Sequence, residues 1–268
     1  MGKNKLRKFA DIDSMDFVHQ YPFARLRTEG FPLRGRWRSD FFHRPDTRII
    51  LELGCGKGEY TVGLARVNRN DCFIGIDIKG ARMWTGACQA RSEQLSNVSF
   101  VRTDIELLPE FFAPGEVDEI WITFPDPQMK KTRKRLTSTR FMDLYRQVLR
   151  PGGIIRLKTD SPFLYTYTRR MAALNSLPVE TDCPDVHGGH LADDPTLNIR
   201  THYEQQWIDR GLTIKYLAFG LPHEGKLSEP ETDDIPLDTY RSYSRGVVQC
   251  PEECDSAVIE RAGTPIDL

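Results

Sequence analysis

Between residues 48 and 219 the chain alternates short apolar runs with stretches of helical spacing, and this alternation restricts it to few folds. Arg48–Leu53 (RIILEL), Cys72–Ile78 (CFIGIDI), Val98–Arg102, Val117–Phe124 (VDEIWITF) and Ile154–Lys158 (IIRLK) read as strands, with a late strand at Leu212–Phe219. Glu59–Val67, Lys79–Leu95, Thr139–Leu149 and Pro162–Leu174 read as helices. Pro151-Gly152-Gly153 is a strong stop after the third of these. Strands alternating with helices build βαβ units, and such units assemble into an open, mostly parallel α/β sheet with helices on both faces.

The flanks differ from this core, so three parts are expected. Residues 1–47 carry Pro22, Pro32 and Pro45, many arginines and no clear periodicity, and read as a basic, partly flexible segment. Residues 48–222 form the folded domain. Residues 223–268 are acidic, rich in Pro, Ser and Thr, and read as a flexible extension. The net charge of −1 conceals this polarity, because residues 1–44 hold ten Lys/Arg against five Asp/Glu and residues 224–268 hold four against eleven.

No run approaches the roughly 20 apolar residues of a membrane span. The start MGKNKLRKFADID lacks the apolar centre of a secretory signal, and Leu6 stands where a myristoylation start needs Ser or Thr. A cytoplasmic protein is expected, with no membrane partner. The six cysteines show no paired C-x-x-C spacing, so they are expected reduced. Cys183, His187 and His190 lack the second ligand pair of a zinc site, Cys250 and Cys254 lie in a polar tail, and no metal is expected. Monomer and homodimer are both compatible with the sequence.

The first strand runs into Glu52-Leu53-Gly54-Cys55-Gly56-Lys57-Gly58-Glu59. Glycines let a backbone turn tightly and approach a ligand, and open α/β sheets bind ligands at the carboxyl ends of their strands. A dinucleotide fingerprint wants G-x-G-x-x-G, but position 59 is Glu, whose charge would repel a pyrophosphate. A cofactor without phosphates fits better, and S-adenosylmethionine is one. The second strand ends at Asp77, placed to accept hydrogen bonds from ribose hydroxyls. Asp104, after the third strand, can bind the exocyclic amine of adenine. The Gly loop with its three acids resembles class I methyltransferases, which implies a Rossmann-like, seven-stranded sheet.

The fourth strand leads into Phe124-Pro125-Asp126-Pro127-Gln128-Met129, with one carboxylate between two prolines of fixed torsion. Five of the six residues 130–135 are Lys or Arg, a strip suited to phosphates. This segment resembles the bacterial tRNA (guanine-N7)-methyltransferase family, whose pattern is roughly F-x-D-P-W-P-K-x-R-H-x-K-R-R. Phe124, Asp126, Pro127, Lys130, Lys134 and Arg135 match it; Gln128 and Met129 replace its Trp-Pro, and Thr132 and Arg133 also depart. Lys158-Thr159-Asp160 and Thr201-His202-Tyr203-Glu204 match the family's K-T-D and T-x-[FY]-E.

The resemblance implies a tRNA partner and transfer of a methyl group from S-adenosylmethionine to N7 of the variable-loop guanine, position 46, leaving S-adenosylhomocysteine. It implies that Asp126 is catalytic, and that Glu52, Gly54, Gly56, Gly58, Asp77, Asp104 and Asp126 bind the cofactor. Lys130, Asp160, Thr201, His202, Tyr203 and Glu204 would contact the substrate, with Lys131, Arg133, Lys134 and Arg135 on tRNA phosphates and Arg34, Arg36 and Arg38 as a further clamp. Guanine N7 carries a lone pair and no proton, so the nucleophile needs no general base, and Asp126 is expected to orient the base and stabilise developing charge. An exocyclic-amine methyltransferase would carry [DNS]-P-P-[FYW], which Pro-Asp-Pro-Gln does not match. A silent RNA-binding protein on the same fold is the alternative from another class, and transfer of a labelled methyl group to tRNA separates it from an enzyme.

Overall fold

The computed structural model describes residues 2–240, with side chains from Leu6 onward. Its strands are β1 (Val18–Gln20), β2 (Ile49–Leu53), β3 (Cys72–Asp77), β4 (Val98–Arg102), β5 (Val117–Thr123), β6 (Leu149–Thr159), β7 (Val179–Cys183) and β8 (Lys215–Gly220). They form one sheet in the order β1-β4-β3-β2-β5-β6-β8-β7. The pairs from β1 to β6 are parallel, while β8 runs antiparallel to both β6 and β7. From β2 the chain proceeds outward to β3 and β4, and β5 then returns to the other side of β2. The crevice between β2 and β5 is therefore the topological switch point, where such sheets bind ligands.

The expected core strands are present with small boundary shifts. Ile50, Phe73 and Trp121 pack into one buried cluster, while Leu51, Ile74 and Ile120 pack into another, as neighbouring residues on opposite faces of a strand must. The helices are α1 (Gly2–Asp13), α2 (Phe23–Glu29), α3 (Glu59–Val67), α4 (Gly80–Ser92), α5 (Leu108–Phe111), α6 (Thr139–Tyr145), α7 (Pro162–Leu174) and α8 (His202–Ile208). α7 has Pro162 in its first turn and Ser161 as N-cap, whose hydroxyl accepts from the Leu164 N–H at 2.9 Å.

Four findings correct the sequence-based picture. Among the described residues the sheet has eight strands, because β1 pairs with β4 at the edge, and three residues are too few to show alternation. β6 begins at Leu149, so the Pro-Gly-Gly stop lies inside a strand beside a register shift in β5. The N-terminal segment is built into the fold. Trp37 is fully buried, stacks on Phe112 at 5.5 Å and donates from its indole to the Phe111 carbonyl at 3.0 Å. The acidic extension is also packed as far as residue 240, with Ile235 and Asp238 buried. The expectation for residues 241–268 lies outside the described residues. No helix among the described residues is long and apolar enough to cross a membrane.

Candidate active site

The loop after β2 is held by the neighbouring strand. The amides of Gly54 and Cys55 donate to the Ile76 carbonyl at 2.8 and 3.0 Å. At Gly58 the backbone is left-handed (φ 73°), and an added Cβ would lie 2.7 Å from the Phe100 ring, so glycine is required on both counts. Asp77 shapes this loop: one carboxylate oxygen accepts from Gly56 N at 2.8 Å and the other from Lys79 N at 2.7 Å. A carboxylate has lone pairs left for a ligand after two such bonds.

Glu52 lies beneath the loop, 3% exposed. It accepts from the Thr61 amide at 2.8 Å, from the Thr61 hydroxyl, and from the Thr123 hydroxyl at 2.6 Å. Burial nevertheless pushes its carboxyl up to about 7, and the threonine hydrogen bonds only partly oppose that shift.

Together with Gly56, Thr123, Asp126, His202 and Tyr203, Glu52 lines a cleft of about 510 Å³ at the switch point. Asp104 lies instead in a separate cleft of about 340 Å³ with the exposed Ile78, and one of its oxygens accepts from Glu106 N at 3.0 Å. Lys57 and Arg82, absent from the sequence-derived set, bring two exposed cations to the larger cleft. Isolated basic residues on a loop and a helix carry no signal that would have singled them out.

Asp126 is exposed at the rim of the cleft, between the buried Pro125 and Pro127. Phe124 and Gln128 flank this tripeptide, both in left-handed backbone at φ 47°, a conformation that costs a non-glycine residue about 1–3 kcal/mol. The Phe124 amide donates to the Lys158 carbonyl at 2.8 Å, and the Gln128 amide donates to Asp126 Oδ1 at 3.0 Å. The carboxylate is thus fixed from both sides.

The basic run divides into two roles. Lys130, Lys131, Arg133 and Lys134 are exposed around a short 3-10 turn at Thr132–Lys134. Arg135, expected on tRNA phosphate, is fully buried. Its guanidinium lies 4.0 Å from the Tyr167 ring centre and 4.9 Å from that of Phe163. It donates to the carbonyls of Pro127, Gln128 and Met129 at 3.1, 3.2 and 3.2 Å, so it staples the loop that carries Asp126.

The substrate set divides in the same way. Tyr203 is 45% exposed, and His202 and Tyr203 line the cleft with Thr201. Thr201 is also the N-cap of α8, its hydroxyl accepting from Glu204 N at 3.0 Å. Glu204, expected on the substrate, is fully buried and forms an ion pair with the equally buried Lys158 at 2.8 Å. His187 Nε2 shares a hydrogen bond with the other Glu204 oxygen at 2.9 Å. Lys158 also donates to the carbonyls of Leu197 and Ile199, so the pair fixes the segment leading into α8.

Asp160, likewise expected on the substrate, is buried and accepts from the Tyr240 hydroxyl at 2.5 Å. Arg38 forms an ion pair with Asp118 at 2.6 Å, Arg34 donates to the Pro109 carbonyl and Arg36 pairs with Asp40 at 3.2 Å; Arg34 and Arg36 are exposed, and Arg38 is partly buried. Among the described residues no group of three or more His, Cys, Asp or Glu side chains is placed to hold a metal ion.

Residues 46–217 match the methyltransferase family model Methyltransf_4. A tRNA (guanine-N(7)-)-methyltransferase of Bacteroides thetaiotaomicron is 56% identical over 245 residues, covering 91% of this chain and 96% of the relative. The protein of that name from Porphyromonas gingivalis is 59% identical over 237 residues, covering 87% and 96%. Among solved structures, the 16S rRNA methyltransferase KamB matches 76% of this chain and 95% of its own, with a TM-score of 0.54 at 14% identity, a likeness of fold.

Proposed function

Because the chain belongs to the tRNA (guanine-N7)-methyltransferase family, we propose that its switch-point cleft methylates N7 of the variable-loop guanine, position 46, with Asp126 as the catalytic residue. The enzyme is S-adenosylmethionine-dependent, as its membership of this methyltransferase family implies. The observation that carries the site assignment is a single exposed carboxylate, doubly constrained in its backbone, at the rim of a Gly-lined cleft.

The residues present fit this cofactor. Open space lies where a Cβ on Gly54 would stand, so a ligand can approach that backbone closely. Glu52 would face the amino group of the methionine moiety and Asp77 the ribose hydroxyls, with Asp104 and Ile78 beside the adenine. Lys57 and Arg82 suit a carboxylate. Glu59 lines the same cleft and disfavours a pyrophosphate there. When bound, S-adenosylmethionine supplies an electrophilic methyl group on sulfur.

Asp126 accepts from guanine N1–H and the 2-amino group and so presents N7 to that methyl. Its negative charge then stabilises the cation that develops on the purine. No proton needs to leave N7, so Asp126 orients the base and takes no proton from it. Exposed Tyr203 offers a face on which a displaced base can stack. Lys130, Lys131, Arg133 and Lys134 hold the adjoining phosphates.

Two measurements test this. Chemical cleavage at 7-methylguanosine in tRNA incubated with the protein is expected to map to position 46 and to vanish when that guanine is replaced. Modification at another nucleotide refutes the assigned target. Asp126→Asn should retain the fold while lowering the single-turnover rate at saturating cofactor by about 10² or more. A rate near the wild type would assign the chemistry elsewhere.

A further inference from the structure

We propose that residues 227–240 form a strap that positions the catalytic loop, with Glu229 and Asp238 as its two positioning residues; the proposal rests on Asp126 being the working group of that loop. Between the end of β5 at Thr123 and the 3-10 turn that begins at Thr132, residues 124–131 have no regular secondary structure, and they include two non-glycine residues in left-handed backbone. Its local preferences therefore oppose its shape, and such a conformation persists only when surrounding structure over-determines it. The strap supplies two converging lines of restraint.

The first line passes through Asp238, which is 8% exposed. Its carboxylate accepts from the Ser161 hydroxyl at 2.5 Å and from Phe163 N at 3.1 Å, which ties the strap to the first turn of α7. Its own amide points the other way, to Met129 Sδ at 3.1 Å. Met129 is one of the positions where the loop departs from the family pattern. Its side chain packs against the same buried cluster as Leu227. The departure at Met129 thus coincides with a contact that the strap makes.

The second line passes through Glu229. One oxygen accepts from Thr139 N at 2.8 Å and from the Thr139 hydroxyl at 2.7 Å, and the other accepts from the Tyr167 hydroxyl at 2.5 Å. The Tyr167 ring carries the Arg135 guanidinium, which holds the three loop carbonyls of residues 127–129. Beyond Asp238, Tyr240 bonds Asp160 at the end of β6 and meets Trp207 of α8 edge-on at 5.1 Å. The strap therefore touches the catalytic loop, the end of β6, and α8, whose first turn borders the cleft.

Amide hydrogen exchange and single-turnover kinetics on the full chain test the idea together. In Glu229→Ala and Asp238→Ala, exchange over residues 124–135 should rise about tenfold while residues 49–67 stay unchanged. The rate at saturating cofactor and tRNA should fall about tenfold, with little change in KM for S-adenosylmethionine, because misplacement acts on the reacting geometry. Glu229→Gln and Asp238→Asn, which keep an acceptor oxygen, should recover most of both losses; a merely destabilised fold would not show this pattern. If an alanine variant does not fold, Tyr167→Phe removes only the hydroxyl given to Glu229 and reports on the same line.

Loop exchange and rates at wild-type level in the folded variants would overturn the proposal. Faster loop exchange together with a normal rate in Asp126→Asn would support the strap while removing Asp126 from the chemistry.

Discussion

In the proposed site Glu52 joins a structural duty to a chemical one. Its carboxyl titrates at about 7 because burial outweighs three hydrogen-bond donors, whereas a carboxyl in the unfolded chain titrates near 4.3. The fold therefore binds this proton more tightly than the unfolded chain does. That stability is fully present below about pH 4.3 and is lost as pH rises to about 7, a change of order 3 kcal/mol. Ionised Glu52 is the form that attracts an ammonium group. Affinity for S-adenosylhomocysteine is expected to rise between pH 5.5 and 7.5 in the wild type and to stay flat in Glu52→Gln, by calorimetry. The same slope in both proteins would assign the titration to another group.

The basic loop separates exposed from buried cations within six residues, and the proposed function gives each group its own role. Lys130, Lys131, Arg133 and Lys134 face solvent, so replacing all four by Ala should leave thermal stability nearly unchanged. It should weaken tRNA binding and flatten the plot of log affinity against log salt by roughly 0.7–0.9 units for each phosphate left without its cation. Arg135→Ala should do the opposite. The salt slope stays, while stability and turnover fall, because three loop carbonyls lose their donor. A salt titration and a melting curve on both variants decide this. An unchanged slope in the fourfold variant would make those residues a solvated face.

Across the whole molecule, the N-terminal segment closes one edge of the sheet, and His19 is its weak point in acid. The imidazole is surrounded by Phe31, Trp37 and Phe41, and burial lowers it from 6.5 to about 4, with Asp16 opposing. The unfolded chain takes up a proton there before the fold does. The neutral ring's contribution is therefore intact above about pH 6.5 and is lost as pH falls to about 4, again of order 3 kcal/mol. Acid should loosen this segment while the sheet core persists, visible as a change in Trp fluorescence between pH 6 and 4.5. His19→Leu should shift that transition to lower pH. Coincident unfolding of core and segment in both proteins would contradict this view.

Much of the architecture was legible because its determinants are local. Ile49–Leu53 is buried on both sides, and such a strand reads as an unbroken apolar run. It ends in glycines that only a sharp turn requires. Asp77 and Asp126 could be picked out because strand ends and prolines locate them without knowledge of any distant partner. β1 has three residues and its partner β4 lies about 80 positions away, so no periodicity announced it. Arg135 looked like Lys134 in every local respect, yet the turn at Thr132–Lys134 directs one side chain between Phe163 and Tyr167 and leaves the other in water. Glu204 belonged to a recognisable motif, but its role depends on Lys158, on another element 46 residues away. The sequence alone determined which residue types stand at the strand ends of an α/β sheet, because backbone turns and apolar periodicity are short-range properties. Only the tertiary structure decided which charges reach the cleft and which brace it, because burial and ion pairing are set by neighbours that the chain meets after it has folded.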